Sequence, residues 1–195
     1  MDPTVGDRYD LTQIRNRLIS RPPSKLQEDL PVASVAIIIN PNDRGGSVLL
    51  IRRTERSSDP WSGQIGFPGG HKSPDDQSFL QTSIRETKEE VGVRLKESQL
   101  LGSLPMVTTL SRRVQVAPFV FELESAVEVR ANREVAESFW VPLLTLSQLQ
   151  VKEHNVRLED RNMRVDSFDY EGRIIWGLTF RILNLMLGRR LSDEV

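Results

Sequence analysis

The chain has 195 residues, of which 38% are hydrophobic and 27% charged, and its formal net charge at pH 7 is -1. This is an ordinary soluble composition, and the small net charge gives no general attraction to nucleic acids or membrane surfaces. The absence of cysteine excludes disulfides, thiolate catalysis and zinc–cysteine sites.

The ends and the apolar stretches of the chain predict a cytoplasmic-type protein. Residues 1–10 carry charge and have no apolar core, unlike a secretory signal. The longest apolar stretch, Ile174 to Leu187, is interrupted by Arg181 and Asn184. It is also shorter than the roughly 20 residues that a membrane span requires.

The first third of the chain predicts a helix and two strands. Apolar residues at helical spacing predict a helix over Leu11–Ile19, which ends before two consecutive prolines. Two runs rich in Val, Ala and Ile predict strands over Val32–Ile39 and Val48–Ile51, joined by a turn. Asp59–Gly70 contains too many glycines and prolines for a regular element.

The rest of the chain predicts further helices and strands around one sheet. Gln77–Val91 predicts a helix that Gly92 is placed to end. Its predicted inner side carries Phe79, Leu80, Ile84, the aliphatic stem of Lys88, and Val91. The later predictions are strands over Leu100–Thr108, Val114–Leu123 and Phe139–Val141, and helices over Leu143–Gln150 and Ile174–Leu187. Together these elements predict an α/β protein, a mixed sheet with helices on its faces.

Three glutamates of the Gln77–Val91 helix carry the strongest functional signal. Glu86, Glu89 and Glu90 stand at i, i+3 and i+4, so their carboxylates share one helix face. Such a face is usually solvated, but magnesium is also held by a few carboxylates together with substrate phosphates. Gly69 and Gly70 precede the helix and let the backbone approach a ligand closely. The alternatives are therefore a solvated acidic face and a metal platform for phosphoryl chemistry.

Basic residues near these glutamates also have two interpretations. Arg85 adjoins the first glutamate, so it can brace a glutamate or pair with an upstream acid such as Asp76. Arg52, Arg53 and Arg56 form either a solvated strand end or a set of contacts to the phosphates of a nucleotide.

The segment from Gly70 to Val93 resembles the signature of the Nudix hydrolases, G-x5-E-x7-R-E-U-x-E-E-x-G-U, where U is apolar. REtkEEvGv, at Arg85 to Val93, is similar to its second half. Asp76 stands in place of the signature's first glutamate, with eight residues instead of seven before Arg85, and Thr87 occupies an apolar position. The resemblance implies a Nudix-like α/β/α sandwich over residues 30–190, after an N-terminal helical extension over residues 1–29.

The chain further resembles the coenzyme A pyrophosphatase branch of that family. That branch has FPGG, found at Phe67–Gly70, an aspartate-rich insert and the longer spacing before Arg85. VAPFV at Val116–Val120 and IWGLT at Ile175–Thr179 are similar to its VxPFV and IWGxT segments.

The upstream signature of the branch, LLTxRSx3Rx3Gx3FPGG, is matched in part. Leu49-Leu50 and Arg53 are present, but the interval from Arg53 to Gly63 is one residue too long. Ser58 stands where the second arginine is expected, and Arg56 is the nearby arginine that could replace it.

The resemblance implies a metal-assisted hydrolysis. Glu86, Glu89 and Glu90 would bind Mg2+ or Mn2+, with a main-chain carbonyl near Gly69 as a further ligand. A water activated by the metal, and deprotonated by a glutamate, would attack one phosphorus of a diphosphate. Glu89 or Glu90 is the favoured base and Arg85 is expected to assist. The later acids that could serve instead are Glu134, Glu137, Glu153 and Glu159.

The leading substrate is coenzyme A or its thioesters, cut to 3',5'-ADP and (acyl)phosphopantetheine, with Arg53, Arg56 and Gly70 at the substrate. A broader hydrolase of ADP-ribose, dinucleotides or nucleotides is the alternative in the same class. A nucleotide sensor that does not hydrolyse its ligand and a plain structural domain are further alternatives, against which the three intact glutamates argue. The expected partner is a small nucleotide diphosphate, with neither nucleic acid nor membrane, and the resemblance allows a homodimer.

Overall fold

The computed structural model describes residues 8–19, 32–55, 61–109, 114–158 and 161–189. The helices are α1 (Thr12–Arg15), α2 (Phe79–Val91), α3 (Leu143–Gln148) and α4 (Gly177–Leu187). The first strands are β1 (Val32–Asn40), β2 (Ser47–Arg53), β3 (Ile65–Gly66), β4 (Gly69–His71), β5 (Leu100–Ser103) and β6 (Val107–Thr108). The later strands are β7 (Gln115–Glu122), β8 (Val135–Pro142), β9 (Lys152–Leu158), β10 (Arg161–Tyr170) and β11 (Arg173–Trp176). Within these ranges, no helix has the length and apolar character needed to cross a membrane.

A mixed sheet forms the centre of the molecule. Its strand order is β3-β2-β1-β7-β5, and β4, β6 and β8 pair with β1, β7 and β2 respectively. β1 and β7 run parallel, from Val32 opposite Gln115 to Ile39 opposite Glu122. β7 is buried at seven of its eight residues, and β1 is buried from Ala36 to Ile39 and at Ser34. This burial fits their continuous apolar runs, because such strands are covered on both faces.

Successive side chains of β1 point into two different apolar clusters. Ile37 and Ile39 join the cluster that contains Leu183 of α4, whereas Ile38 joins the cluster that contains Val91 of α2. The period-2 alternation of a strand therefore buries one helix on each face of the sheet. This arrangement confirms the predicted α/β fold with its mixed sheet and flanking helices.

A second sheet of three antiparallel strands, in the order β11-β10-β9, was not predicted. β9 and β10 are rich in charged residues and largely exposed, so they lack the apolar alternation that identifies a strand. The prediction that the last helix begins at Ile174 is wrong, because Ile174 and Ile175 pair with β10. α4 begins at Gly177, where a φ of +60° separates strand β11 from the helix.

The predicted N-terminal helix is shorter than expected. α1 covers only Thr12–Arg15, and Ile19 exchanges backbone hydrogen bonds of 2.9 and 3.2 Å with Ser103. This bridge requires extended backbone and so ends the helix. Residues 1–7 and 20–31 lie outside the described ranges, and the proposed extension over residues 1–29 stays a prediction.

The buried face of α2 differs in part from the predicted one. Val91 is fully buried as expected, but Lys88 is exposed. The other fully buried positions of the helix are polar: Thr82, Ser83, Thr87 and Glu90. Thr87 donates a hydrogen bond to Ser83 O at 2.7 Å, which satisfies its hydroxyl inside the helix. The side of α2 that faces the sheet is therefore built to carry polar groups.

Candidate active site

The ends of α2 are fixed by local sequence. Ser78 has extended backbone and its hydroxyl accepts a hydrogen bond from Gln81 N at 3.2 Å, which caps the first turn. Gly92 takes a left-handed φ of 71° and ends the helix. Between these caps, α2 packs against β1 and β4, which brings its glutamates beside Gly69 and Gly70.

Glu90 is the most deeply buried of the three glutamates, with 2% of its surface exposed. Its Oε2 accepts a hydrogen bond from Gly69 N at 2.8 Å, and its Oε1 lies 3.3 Å from Arg53 Nη1. Burial is the main cause that raises the pKa of Glu90 to about 7, and the negative charges of Glu86 and Glu134 add to this rise. The hydrogen bond from Gly69 and the positive charge of Arg53 act in the opposite direction. Glu90 is therefore a buried carboxyl group that additional positive charge would stabilise in its ionised form.

The two glycines before α2 allow two different close approaches. Gly69 has a φ of +156°, and a Cβ there would overlap Ser34 O and lie 2.7 Å from Val35 Cα. At Gly70 a Cβ would lie 2.5 Å from Glu86 Cδ. Gly69 therefore lets two backbones meet, whereas Gly70 leaves room for a carboxylate.

Arg85 binds three carboxylates at once. Its Nε and Nη2 donate to the two oxygens of Asp76 at 3.0 and 2.9 Å. Its Nη1 lies 2.8 Å from Glu86 Oε1 and 3.2 Å from Glu89 Oε2. Both interpretations of Arg85 are therefore realised, since it pairs with Asp76 and also braces two glutamates.

Asp76 takes the place of the missing signature glutamate. Its Oδ2 also accepts hydrogen bonds from Ser73 N and Thr82 Oγ1, each at 2.9 Å. Its bond with Arg85, together with these hydrogen bonds, holds the pKa of the Asp76 carboxyl well below its usual range despite burial. With the shorter side chain and the longer spacing, Asp76 is still a buried carboxylate partner of Arg85.

We expect Asp76→Asn to lower the free energy of unfolding at pH 7 by about 1–3 kcal/mol, since the charge-assisted bonds to Arg85 are lost. A carboxyl group whose folded pKa is lowered stabilises the fold above its unfolded pKa of 3.8 and loses that effect as the pH falls. The difference between variant and wild type in urea unfolding should therefore stay constant from pH 7 to about pH 5 and shrink as the pH falls below about 4. The exposed neighbour gives the control, Asp75→Asn, and an equal loss in both variants would contradict a specific role for Asp76.

The glutamates have oxygen donors suited to a divalent cation but are engaged by arginines. In the described part of the chain, no three His, Asp or Glu side chains are gathered closely enough to hold a metal ion. Glu86 and Glu89 turn to Arg85, whereas Glu90 turns to Gly69 and Arg53. Burial raises the pKa of Glu86 as well as that of Glu90. A hard cation would compensate both buried charges once Glu86 and Glu89 rotate away from Arg85, so the residues fit such an ion.

Of the alternative bases after α2 that the structure describes, only one lies near the three glutamates of α2. Glu134 is close enough for its charge to raise the pKa of Glu90. Glu137 points to the opposite face of the main sheet, where Arg52 lies 3.1 Å and Arg173 2.6 Å from its carboxylate oxygens. These arginines, above all Arg173, lower the pKa of Glu137, which makes it a poor base.

The remaining predicted acids are not brought to the cluster. Glu153 lies on β9 and pairs with Arg164 of β10. Glu159 and Arg56 lie outside the described residues. Arg53 and Arg52 point to opposite faces of β2, and only Arg53 reaches the glutamates.

Thr179, in the IWGLT segment, was not singled out by itself. It is 6% exposed, and its hydroxyl donates to Ile65 O at 2.8 Å. Ile65 stands two residues before Phe67–Gly70, so this bond ties α4 to the strand that leads into the glycine pair. Phe180 is buried in the core and packs on Phe168 with 4.7 Å between ring centroids.

Known proteins with similar sequences identify the family. The model of the NUDIX domain matches residues 29–163. "Uncharacterized Nudix hydrolase NudL" of Yersinia pestis (strain Pestoides F) is 34% identical over 151 residues, which cover 76% of this chain and 72% of that protein. The chain belongs to the Nudix family. Membership confirms the prediction of a Nudix-type pyrophosphohydrolase, whereas the coenzyme A branch and the individual site residues stay predictions.

Solved Nudix structures share the fold. A MutT/nudix family protein from Enterococcus faecalis aligns with a TM-score of 0.54 at 16% identity, covering 86% of this chain and 62% of that one. The NUDIX domain of Shewanella oneidensis NrtR, crystallised with ADP ribose, aligns with a TM-score of 0.50 at 22% identity, covering 65% and 84% respectively. At these identities the likeness is one of fold.

Proposed function

We propose that this Nudix protein is a divalent-metal-dependent hydrolase of the diphosphate bond in coenzyme A or acyl-coenzyme A. The products are 3',5'-ADP and (acyl)phosphopantetheine. The observation that carries the hydrolytic part of the proposal is the packing of Glu86 and Glu90 against Gly69 and Gly70, with Arg85 bracing the acids.

In this proposal Glu86, Glu89 and Glu90, with the main-chain carbonyl of Gly69, hold Mg2+ or Mn2+. Such an ion neutralises the charge of the diphosphate and lowers the pKa of the attacking water. Oxygen donors are the ligands that both ions prefer. Arg85 acts as a positioning residue, because its bidentate bond to Asp76 fixes the guanidinium between the glutamates.

The base that removes the proton from water is assigned to Glu89. Glu90 is buried and held by Gly69 and Arg53, so it is fixed as a ligand. The Glu89 side chain is 55% exposed and pairs with Arg85 on the helix surface. It can therefore turn towards the water with little cost to the fold. The water oxygen bonds to one phosphorus, the bond from that phosphorus to the bridging oxygen breaks, and the bridging oxygen leaves with the second phosphate.

Arg53 is assigned to the substrate, in a position close to the reaction. Its guanidinium lies 3.3 Å from Glu90, so it can contact a phosphate that binds beside the glutamates. This location favours the diphosphate itself as the partner of Arg53, and leaves the 3'-phosphate to Arg56 or to other groups.

The coenzyme A part of the proposal is supported by segments that resemble that branch of the family. The Thr179 hydroxyl of IWGLT donates to Ile65 O, two residues before FPGG. Val116–Val120 lies in β7, which pairs with β1. β1 also pairs with β4, which contains Gly69 and Gly70. All three segments therefore connect to the strands around the glycine pair.

A hydrolysis panel tests the substrate. Coenzyme A, dephospho-coenzyme A, ADP-ribose, NADH, diadenosine polyphosphates and nucleoside triphosphates are incubated with Mg2+ and with Mn2+, and products are identified by mass. We expect coenzyme A to be cleaved at least about tenfold faster than dephospho-coenzyme A, which corresponds to about 1.4 kcal/mol from contacts with the 3'-phosphate.

The alternatives give different outcomes in the same panel. Faster cleavage of ADP-ribose or a dinucleotide would replace coenzyme A by a broader nucleoside-diphosphate substrate and keep the hydrolytic site. Equal rates on coenzyme A and its dephospho form would contradict recognition of the 3'-phosphate. Tight binding of one ligand without turnover would make the protein a nucleotide sensor.

A further inference from the structure

Two aromatic rings meet beside the glycine pair that precedes α2. The ring centroids of Trp61 and His71 lie 6.1 Å apart, with 46° between the ring planes. His71 is exposed and Trp61 is partly exposed, so a ligand can reach the pair from solvent. Trp61 belongs to neither of the two apolar clusters that form the core. The two rings are therefore a small aromatic surface outside the core.

The backbone of each ring residue is tied to an arginine that contacts the glutamates. The carbonyl oxygen of His71 accepts a hydrogen bond from Arg85 Nη2 at 3.3 Å. Trp61 begins a turn that Gln64 closes, with a hydrogen bond of 3.1 Å from Gln64 N to Trp61 O. Gln64 O in turn accepts a hydrogen bond from Arg53 N at 3.0 Å. The rings are thus held at a fixed place relative to Arg53 and Arg85, and so relative to the glutamates.

The ring pair lies next to the reacting groups and not among them. Gly70 faces the carboxylate of Glu86, since a Cβ there would lie 2.5 Å from Glu86 Cδ. Successive positions of a strand point to opposite faces, so the side chain of His71 leaves β4 on the other side. Among the described strands only β1 pairs with β4, so the sheet does not continue beyond the outer edge of β4. The rings are therefore placed for a part of the substrate that binds but does not react.

The chemistry of the rings favours a planar base at this place. Nucleotide bases stack on tryptophan and histidine side chains, and a stacked base raises affinity by about 5–150-fold. An open chain such as pantetheine has no ring that could stack in this way. We propose that Trp61 and His71 form the surface that binds the adenine base of the nucleotide substrate. This inference rests on the proposed function, which places the diphosphate at the glutamates, and it adds the groups that recognise the base.

Two ligands that differ by the base alone test the inference. AMP and ribose 5-phosphate both carry the phosphate, and neither contains a diphosphate bond that could be cut. With Mg2+ present, we expect calorimetry to show AMP binding at least about tenfold more tightly than ribose 5-phosphate. Trp61→Ala should weaken AMP about tenfold and leave ribose 5-phosphate unchanged, whereas Trp61→Phe keeps a ring and should lose less than about threefold. No preference for AMP in wild type, or equal weakening of both ligands in Trp61→Ala, would overturn the proposal.

Tryptophan fluorescence tests where the base binds. Because a stacked purine quenches indole emission, AMP should quench part of the wild-type emission and ribose 5-phosphate should not. In Trp61→Phe this quenching should disappear although AMP still binds, and quenching that persists there would place the base elsewhere. His71→Ala should weaken AMP by about threefold or more. The matched control is His154→Ala, since His154 is the other histidine of the chain and contacts Ser167 in the second sheet; equal effects of the two variants would remove His71 from the surface.

Hydrolysis of coenzyme A separates this inference from the proposed function. Trp61→Ala should raise KM about tenfold and change kcat less than about twofold, because a base remote from the reacting bond is held equally in the ground state and the transition state. Hydrolysis of coenzyme A by a wild type without preference for AMP would overturn the base surface and keep the hydrolase. Preference for AMP without hydrolysis of any diphosphate would overturn the proposed function and keep the base surface.

Discussion

Replacing Glu90 by glutamine is expected to lower kcat for diphosphate hydrolysis by about 1000-fold while the protein remains folded. The loss corresponds to the several kcal/mol of charge stabilisation that a catalytic metal ion supplies. Glutamine keeps the shape of the side chain and an oxygen that can accept the hydrogen bond from Gly69 N, which is 2.8 Å long in the wild type. Rates at saturating Mg2+ and Mn2+ are compared with those of Glu124→Gln, which changes an exposed glutamate.

The same variant has an expected signature in stability. The folded pKa of Glu90 is raised from 4.5 to about 7, so the folded protein binds more protons than the unfolded one between these pH values. Wild type should therefore lose stability relative to Glu90→Gln as the pH rises through this window in metal-free buffer. Added Mg2+ should raise the melting temperature of wild type and leave that of the variant nearly unchanged. Wild-type turnover in Glu90→Gln, or an equal response of both proteins to metal, would remove Glu90 from the metal site.

Alanine at each of the two adjacent glycines should damage the protein in different ways. Gly69→Ala should lower the free energy of unfolding by about 3 kcal/mol or more, since its Cβ meets the rigid backbone of Ser34 and Val35 at a positive φ. Gly70→Ala should change stability by less than about 1 kcal/mol, because the group it meets is the flexible end of Glu86. Its kcat should nevertheless fall by about 10–100-fold, because the Glu86 carboxylate is displaced.

A third glycine separates steric overlap from backbone strain. Gly172 also has a positive φ, of +77°, but a Cβ there would meet nothing within 4 Å. Gly172→Ala should therefore cost only about 1–2 kcal/mol from its backbone conformation. Denaturant unfolding and metal-dependent rates are measured for all three variants. Wild-type rates and metal affinity in Gly70→Ala would contradict Glu86 as a ligand, and a normally stable Gly69→Ala would contradict the close approach at β1.

Local patterns were sufficient to predict the elements that rest on regular periodicity. The predicted bounds of β1 and β7 are nearly right, because strands buried on both faces have continuous apolar runs. The predicted end of α2 is right, because a helix that ends in a left-handed residue usually has glycine there. The hairpin of β9 and β10 was missed because its strands are exposed and charged. The start of the last helix was wrong because Ile174 and Ile175 are apolar in either a strand or a helix.

The sequence by itself determined the chemistry of the candidate site: three glutamates on one helix face, a glycine pair before them, and an arginine among them. Spacing along a helix is a local property, so these relations can be derived without the fold. Only the tertiary structure decided that Asp76 replaces the missing glutamate as the partner of Arg85, that Arg53 reaches Glu90, and that Glu137 lies on the opposite face of the sheet. These outcomes depend on how β2, β4 and α2 pack, because contacts between residues distant in sequence are set by packing and not by local spacing.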